Sequence, residues 1–559
     1  MILGIDVGGT HTDAVLLDNV QVKKKTKVPT NQRHLVSSLI GVMDDILRDE
    51  DLSALERVVF STTLSTNAIV QGKTDRVGMI VASGPGLAPE DLRINEDMRF
   101  VSGYVSNRGI EVAPIKKGEV EEAAAGLKAS GIAHLGVVCK FSTRNPAHEN
   151  QIGELVRSGF RHVSLGHCMS GNLNFRRRIA TTYLNASVHD LYSRFVDEIL
   201  EFAARAGIKA PLYILKADGG TFEIRRSAEQ PVQTILSGPA ASVMGILSLA
   251  DCAGADAVAV DVGGTTTDIA LLADGVPLLE PLGVTIEGHR TLIRGLKTRS
   301  IGLGGDSRVR VDDGRLIIGP RREGPAAAFG GPWPTPTDAM IVLGLTQIGD
   351  AAKAQTAVAE IAGKLNLPVA EAARAIFEKT CRDIASAVGA MVEEVNNKPV
   401  YTIHELLEGK TLRPKRLFIV GGPAAAVASR LGEMLGCEAV IPRDAEVANA
   451  YGAALARTTA EITLLAETER GSLTIAEEGL EMRIPAHFTR KDILRIGMER
   501  LRERARRLGA VEPDIETEIV EDQEFNMVRG FYATGKNIRL KAQVKPGLIA
   551  GFGKGGPRS

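Results

Sequence analysis

Aromatic residues make up only 4% of this 559-residue chain, with a single tryptophan, which leaves no stacking surface for single-stranded nucleic acid. Neither sign of charge prevails: 67 lysines and arginines face 68 aspartates and glutamates. No global basic field therefore draws DNA or an anionic membrane. The five cysteines (Cys139, Cys168, Cys252, Cys381, Cys437) are scattered, without a CxxC pair. That spacing excludes a disulfide scaffold, a cysteine-based structural zinc site and an iron–sulfur cluster, and fits a reduced protein. No apolar run is long enough to span a bilayer. The first residues pass straight into a strand, leaving no room for a leader, so a cytoplasmic location is expected.

What the chain has in quantity is glycine, 59 residues, gathered in turns. The words DVGGTHTD (Asp6 to Asp13) return as DVGGTTTD (Asp261 to Asp268). Each copy follows an apolar strand and precedes a second one, and the second closes on Asp274-Gly275, a strong hairpin signal. Two such copies predict two similar halves facing one cleft. A glycine-rich turn lets the main chain approach a phosphate and present N–H groups to it. Candidate nucleotide-holding residues are therefore Gly8, Gly9, Thr10, Thr12 and Asp13 in the first copy. Their counterparts are Gly263, Gly264, Thr265, Thr266, Thr267 and Asp268. Asp6 and Asp261, acceptor-only carboxylates at strand ends, sit beside phosphate only where Mg2+ lies between, so they are expected to be both metal ligands and catalytic groups. A P-loop is excluded because no GK[ST] follows and a strand succeeds the turn. A Rossmann site fails for the same reason.

Along the chain, QVKKKTKV (Gln21 to Val28) predicts an edge strand guarded by lysines, and residues 32 to 48 carry helical apolar spacing. The cluster Ser61, Thr62, Thr63, Ser65, Thr66, Asn67 reads equally as a helix cap or a binding loop. Strands and helices alternate over 77 to 165. Asn174 to Gly207 predicts a long helix, with Arg176, Arg177 and Arg178 on a solvated face. Ser237-Gly238-Pro239, at a helix start, is either an anion-facing end or a plain turn. Lys415 to Gly436 predicts a strand, a Gly421-Gly422-Pro423 turn and a helix. From about 460 a β pattern and the striped helix Arg490 to Leu508 predict a small separate α+β domain ending in a frayed tail, GFGKGGPRS. Domains are expected at 1–185, 186–460 and 461–559.

In this order of motifs the chain resembles the actin, sugar kinase and heat-shock chaperone ATPase superfamily. Within it the chain is similar to the hydantoinase A/oxoprolinase family, through DVGGTHTD, STTLSTNAI, NPAHE, DGGTFEI, LSGPAASVMG, DVGGTTTD, PTPTDAMIVLG and the GGP turn. The resemblance implies an α/β fold with two duplicated ribonuclease H-like halves around a nucleotide cleft. It implies Mg-ATP as cofactor, held by both glycine loops, with Gly421, Gly422 and Pro423 as the adenosine turn. It further implies substrate contacts from Thr62, Thr63, Asn67, Ser237 and Asp338, with Thr62 and Thr63 in catalysis. The expected reaction is ATP-driven opening of a small cyclic amide such as a hydantoin, oxoproline or lactam. The alternatives are a reactivating or assembly ATPase and a small-molecule kinase or carboxylase subunit. A partner of the family's B type is implied, and a homo-oligomer is allowed. Two departures stand out. Lys297-Thr298-Arg299 replaces the family's acidic-x-His segment, a basic pair that would favour an anionic substrate. Phe60-Ser61 replaces its His-Gly. No histidine or glutamate is placed as general base; His11, His167 and His289 read as structural.

Overall fold

A computed structural model describes residues 1–19, 21–31, 35–397, 411–529 and 531–550; the tail expected at 551–559 lies outside them. The first repeat forms strands β1 (Ile2–Val7) and β2 (His11–Asp18), followed by β3 (Gln21–Pro29), helix α1 (Leu35–Ile46), β4 (Arg57–Thr62) and helix α2 (Leu64–Val70). The sheet runs β3-β2-β1-β4 and is completed by Leu212–Leu215 and Thr221–Glu223. Every residue of β1 is buried. Leu3, Ile5 and Val7 pack with Phe60 and with Leu39 and Met43 of α1, each such side chain contributing about 1.5–3 kcal/mol relative to exposure. On β3, exposed and half-buried residues alternate at the sheet edge, as the lysine run predicts.

The second repeat rebuilds this plan. Ala257–Val262 pairs antiparallel with Thr267–Ala273, which pairs with Val276–Pro277; on the other side lie Arg416–Val420 and Glu438–Val440, both parallel. The registers coincide: Asp6 faces Asp13 and Val7 faces Thr12, while Asp261 faces Asp268 and Val262 faces Thr267. Both sheets thus show one strand order, and the molecule is an α/β protein of two duplicated halves. The first sheet draws on chain up to Glu223, on both sides of residue 185 where the first half was expected to end.

Between the sheets two helices cross, Ser237–Leu249 and Ala448–Leu455. A Cβ on Gly245 would lie 2.2 Å from the Ala448 carbonyl oxygen, and one on Gly452 would lie 2.1 Å from the Gly245 nitrogen. The backbones therefore touch where only glycine fits. Gly4 on β1 stands equally close to the Ala450 carbonyl oxygen.

A four-stranded satellite sheet, ordered His162–Leu165, His134–Cys139, Val77–Ala82, Met98–Phe100, belongs to the first half. The long Phe175–Arg205 helix packs on it and on the first sheet. The arginine triplet on this helix is not one solvated face. Arg176 is exposed, but Arg178 is 1% exposed and bonds Ser142 and the Asn172 carbonyl. Arg177 donates to the carbonyls of Leu282 and Thr291. Five antiparallel strands from Glu461 to Val544 and the Arg490–Arg507 helix form the C-terminal unit around its own core. That unit is bonded to the first half through Glu223 N–H to the Leu508 carbonyl and Tyr213 Oη to the Gly509 carbonyl.

Candidate functional site

Both glycine loops close with the same bond: Gly8 N–H donates to the His11 carbonyl (3.0 Å) and Gly263 N–H to the Thr266 carbonyl (2.9 Å). Those two amides are therefore spent inside their turns, and the tips are left to Gly9 and Thr10 in one loop and Gly264 and Thr265 in the other. The tips meet. A Cβ on Gly264 would lie 3.7 Å from Thr10 Cγ2 and 2.8 Å from Asp306 Oδ2. The Leu303–Ser307 turn braces the second loop, with Gly305 and Asp306 N–H donating to the carbonyls of Gly263 and Gly264. Gly421 adopts φ +95°, and a Cβ there would lie 2.6 Å from Asp261 Oδ1. This positive φ is what glycine alone adopts without strain, and it brings the Gly421-Gly422-Pro423 turn against the second strand's carboxylate.

Four carboxylates gather at the strand ends. Asn449 Nδ2 lies 3.3 Å from both Asp6 Oδ2 and Asp261 Oδ2, so one amide spans the two halves. Ser242 Oγ also donates to Asp261 Oδ2 at 2.6 Å. Burial, joined by the charges of Asp13 and Asp261, pushes the Asp6 carboxyl up to about 7. Burial and the charges of Asp261 and Asp6 do the same to Asp268, also to about 7. Asp13 is raised by burial although Lys27 Nζ stands 2.8 Å away. Asp6 Oδ1 and Asp13 Oδ1 are buried without a hydrogen-bond donor. An ionised carboxylate cluster of this kind needs a cation or must take up protons. Its all-oxygen donors suit a hard divalent ion such as Mg2+, so the residues present fit the metal expected at Asp6 and Asp261.

Several expected contacts are redirected. Thr12 is fully buried, with Oγ1 3.0 Å from Thr30 Oγ1 just past the end of β3. Thr267 is likewise buried and donates to the Leu303 carbonyl at 2.6 Å. Both hydroxyls are spent on adjoining chain segments and do not line the loops, whereas Thr10, Thr265 and Thr266 stay half-buried at the turns. Asp338 is also corrected. Fully buried, it accepts bonds from the amides of Ala327, Ala328 and Thr335 and from the Thr335 hydroxyl, in a capping box of the Pro336–Val342 helix. Both of its oxygens are thus bonded inside the protein, and burial leaves it no open face toward a substrate. Lys297 pairs with Glu280 and Glu394, and Arg299 with Glu394, so the basic pair is neutralised within the protein and not held for an anion.

The Ser/Thr/Asn cluster is both cap and loop. Thr62 Oγ1 accepts from the Leu64 amide, and Asn67 Nδ2 donates back to Thr63 Oγ1 at 3.0 Å. The α2 segment meets the start of the Ser237–Leu249 helix: Ser237 Oγ donates to the Thr62 carbonyl, and the Leu236 amide donates to Thr66 Oγ1. Thr63, half-buried, lies 3.2 Å from a Cβ built on Gly238. Thr62, Thr63, Asn67 and Ser237 are therefore brought together at the carboxyl ends of β1 and β4, beside the first glycine loop. Among the expected structural histidines, His167 is buried against Glu149 at 2.7 Å. Although burial opposes its charge, bonds to Cys168 and Glu149 push it up to about 10. His11 is exposed at the first loop, its Nδ1 3.2 Å from Thr10 Oγ1.

Sequence reasoning missed Asn449, Ser242 and Asp306. The available signals were a lone amide in the apolar helix ANAYGAAL and a second serine, Ser242, in SGPAASVMG. A cavity of about 540 Å3, lined by Lys216, Asp218, Phe222, Arg294, Glu477 and Arg504 among others, lies toward the C-terminal unit. The glycine loops do not line it.

A family model described as hydantoinase/oxoprolinase matches residues 178–462, and one described as hydantoinase/oxoprolinase N-terminal region matches residues 2–160. The chain is 26% identical to caprolactamase subunit alpha of Pseudomonas jessenii, across 90% of this chain and 75% of that protein. It is 26% identical to the acetophenone carboxylase gamma subunit of Aromatoleum aromaticum, across 69% of this chain and 60% of that protein. A nucleotide-free acetone carboxylase structure superposes with TM-score 0.74 at 20% identity, covering 99% of this chain and 88% of the other. An ATP-dependent caprolactamase from Pseudomonas jessenii superposes with TM-score 0.72 at 21% identity, covering 100% and 89%. At these identities the solved structures share the fold.

Proposed function

This chain belongs to the hydantoinase/oxoprolinase family, and from that premise we propose that it is an ATP- and Mg2+-dependent hydrolase of a small cyclic amide. The observation that carries the reading is the pair of glycine loops facing each other closely at Gly264 and Thr10, with Asp6 and Asp261 joined through Asn449. ATP would lie along Gly8, Gly9 and Thr10 on one side and Gly263, Gly264, Thr265 and Thr266 on the other, with its adenosine at Gly421–Pro423. Asp6 and Asp261, with Asp13 and Asp268 behind them, would hold Mg2+, which neutralises charge on the phosphates when bound. Thr63 and Asn67, both half-buried, would face the amide, with the buried and internally bonded Thr62 and Ser237 holding them in place. Transfer of the γ-phosphoryl group to the carbonyl oxygen, with release of ADP, makes that carbon a good electrophile. Water then adds to the carbon and the C–N bond breaks as the nitrogen takes up a proton; a second water cleaves the acyl phosphate so formed to the free acid and phosphate.

Relatives bearing the names of subunits support a partner subunit of the B type, which co-purification from the native source would reveal. The carboxylase among them supports a second reading, in which the phosphorylated oxygen is the enol oxygen of a small ketone. One experiment separates these readings: ATP hydrolysis measured across hydantoins, oxoproline, lactams and ketones, with and without bicarbonate. Stimulation by a cyclic amide with release of the opened acid is expected. Hydrolysis indifferent to every cyclic amide would overturn the first reading, and ketone stimulation dependent on bicarbonate would establish the second.

A further inference from the structure

Three of the ten histidines converge far along the chain from the glycine loops, where the satellite sheet meets the long helix. His134 opens the second satellite strand and pairs in register with His162, which opens the first. His189 and Asp190 lie on the Phe175–Arg205 helix above them. Nε2 of His134 is 3.4 Å from Asp190 Oδ2, and Nδ1 of His189 is 3.4 Å from Asp190 Oδ1. Ligand atoms of these three residues all lie within 4.8 Å of one another. Asp75 Oδ2 adds a further oxygen 3.7 Å from His134 Nε2.

These separations are long for hydrogen bonds. The two 3.4 Å histidine–carboxylate distances are close to the spacing of ligands around a tetrahedral ion, whose bonds of about 2.0–2.1 Å set neighbouring ligands about 3.3 Å apart. From this geometry we infer that His134, His189 and Asp190 form a binding site for a borderline transition-metal ion of the zinc type, with Asp75 or water in the fourth position. Two imidazoles with a carboxylate select zinc, nickel or cobalt over magnesium or calcium, which sets this site apart from the all-oxygen cluster at Asp6 and Asp261.

The surroundings hold the ligands in place. His162 stacks on His189 with centroids 3.5 Å apart and fixes the ring plane. His134 itself is 3% exposed, with Nδ1 lacking a partner. Arg161, mostly exposed, pairs with the carboxylate at 2.8 Å from Asp190 Oδ2. It is the group that an entering dication must displace. A bound ion would tie the edge of the satellite sheet to the long helix, beside the bond that already joins the Asp75 amide to the Ser187 carbonyl.

The test uses the full chain stripped with a chelator and re-supplied with Zn2+ alone. Mass spectrometry of the metal should give one tightly held equivalent, and Zn2+ should raise Tm because an ion bound only by the folded state stabilises it. His134→Gln with His189→Gln should weaken Zn2+ binding by at least about tenfold, while Asp6→Asn should leave it unchanged. If the double variant does not fold, Asp190→Asn should show the same loss, and Arg161→Ala should tighten binding. Absence of a bound equivalent, or equal binding by the histidine or Asp190 variants, overturns the proposal whether or not the ATPase reading holds.

Discussion

Asp13 and Asp268 occupy the same position in the two hairpins, opposite Asp6 and Asp261, yet their neighbours differ. Lys27 stands 2.8 Å from Asp13, brought there by the lysine-rich third strand. Among the described residues Asp268 receives the Ser300 hydroxyl and no cation, and burial with the charges of Asp261 and Asp6 pushes it up to about 7. The second loop is instead held mechanically, by the Leu303–Ser307 turn, whose Gly304 would place a Cβ 2.6 Å from the Gly263 carbonyl oxygen. The first loop is held instead by the Thr30 N–H, which donates to the Thr10 carbonyl at 2.9 Å, and its His11 is exposed. Duplication has thus kept the turn and its register while dividing the work: one loop carries a built-in countercharge, the other a rigid backing.

The comparison can be broken most sharply at the carboxylates both loops share. Asp6→Asn and Asp261→Asn should each lower the ATPase rate constant by about 100-fold or more; a variant keeping its rate would show that its loop holds no metal-nucleotide. Next in size, Gly421→Val should disrupt the second side alone. Its positive φ and the contact with Asp261 should cost about 1–3 kcal/mol, read as a fall in Tm together with weaker nucleotide binding.

The pH dependence sharpens the same contrast. Asp268 is ordinarily protonated only below about 3.8 but in the fold holds its proton to about 7. Between those values the unfolded chain has lost a proton that the folded chain keeps, so stability of the metal-free protein should fall as pH rises through this window. Asp268→Asn should flatten that slope in denaturant melts run at several pH values, and Lys27→Met should steepen it by making the first loop resemble the second. A melt independent of pH in the parent protein would sink this assignment. At Asp338→Asn an NH2 replaces one acceptor oxygen among buried donors, which should cost about 1–3 kcal/mol or more. Tm should drop, and the nucleotide affinity should not move.

Much of the architecture was legible because it rests on local pattern. Apolar strands bounded by Gly-Gly-Thr, twice over, dictate two hairpins, and the lysines of β3 announce an edge. What was hidden depends on burial from both faces. β2 has six consecutive buried residues, so alternation could not reveal that the Thr12 hydroxyl turns to Thr30. Thr267 and Asp338 mislead for the same reason: a hydroxyl or carboxylate near a glycine turn looks like a ligand until its bonding partners are seen. Arg178 stands in a triplet that reads as surface, yet the packing of the long helix draws it inside with Ser142. Asn449 is some 190 residues from Asp261 and more than 400 from Asp6, and no spacing rule connects groups at such separations.

The crossing of the Ser237–Leu249 and Ala448–Leu455 helices carries a kinematic consequence. Where two backbones touch through Gly245 and Gly452, no long side chains interlock, so the contact resists separation far more than rotation. Ala448 lies at that contact and Asn449 is its neighbour in the chain, which puts the amide joining Asp6 to Asp261 close to the axis of any turn between the halves. Points near an axle travel little while the rim travels far. The carboxylates would therefore hold their spacing through an opening stroke in which the outer parts of the two sheets swing widely apart.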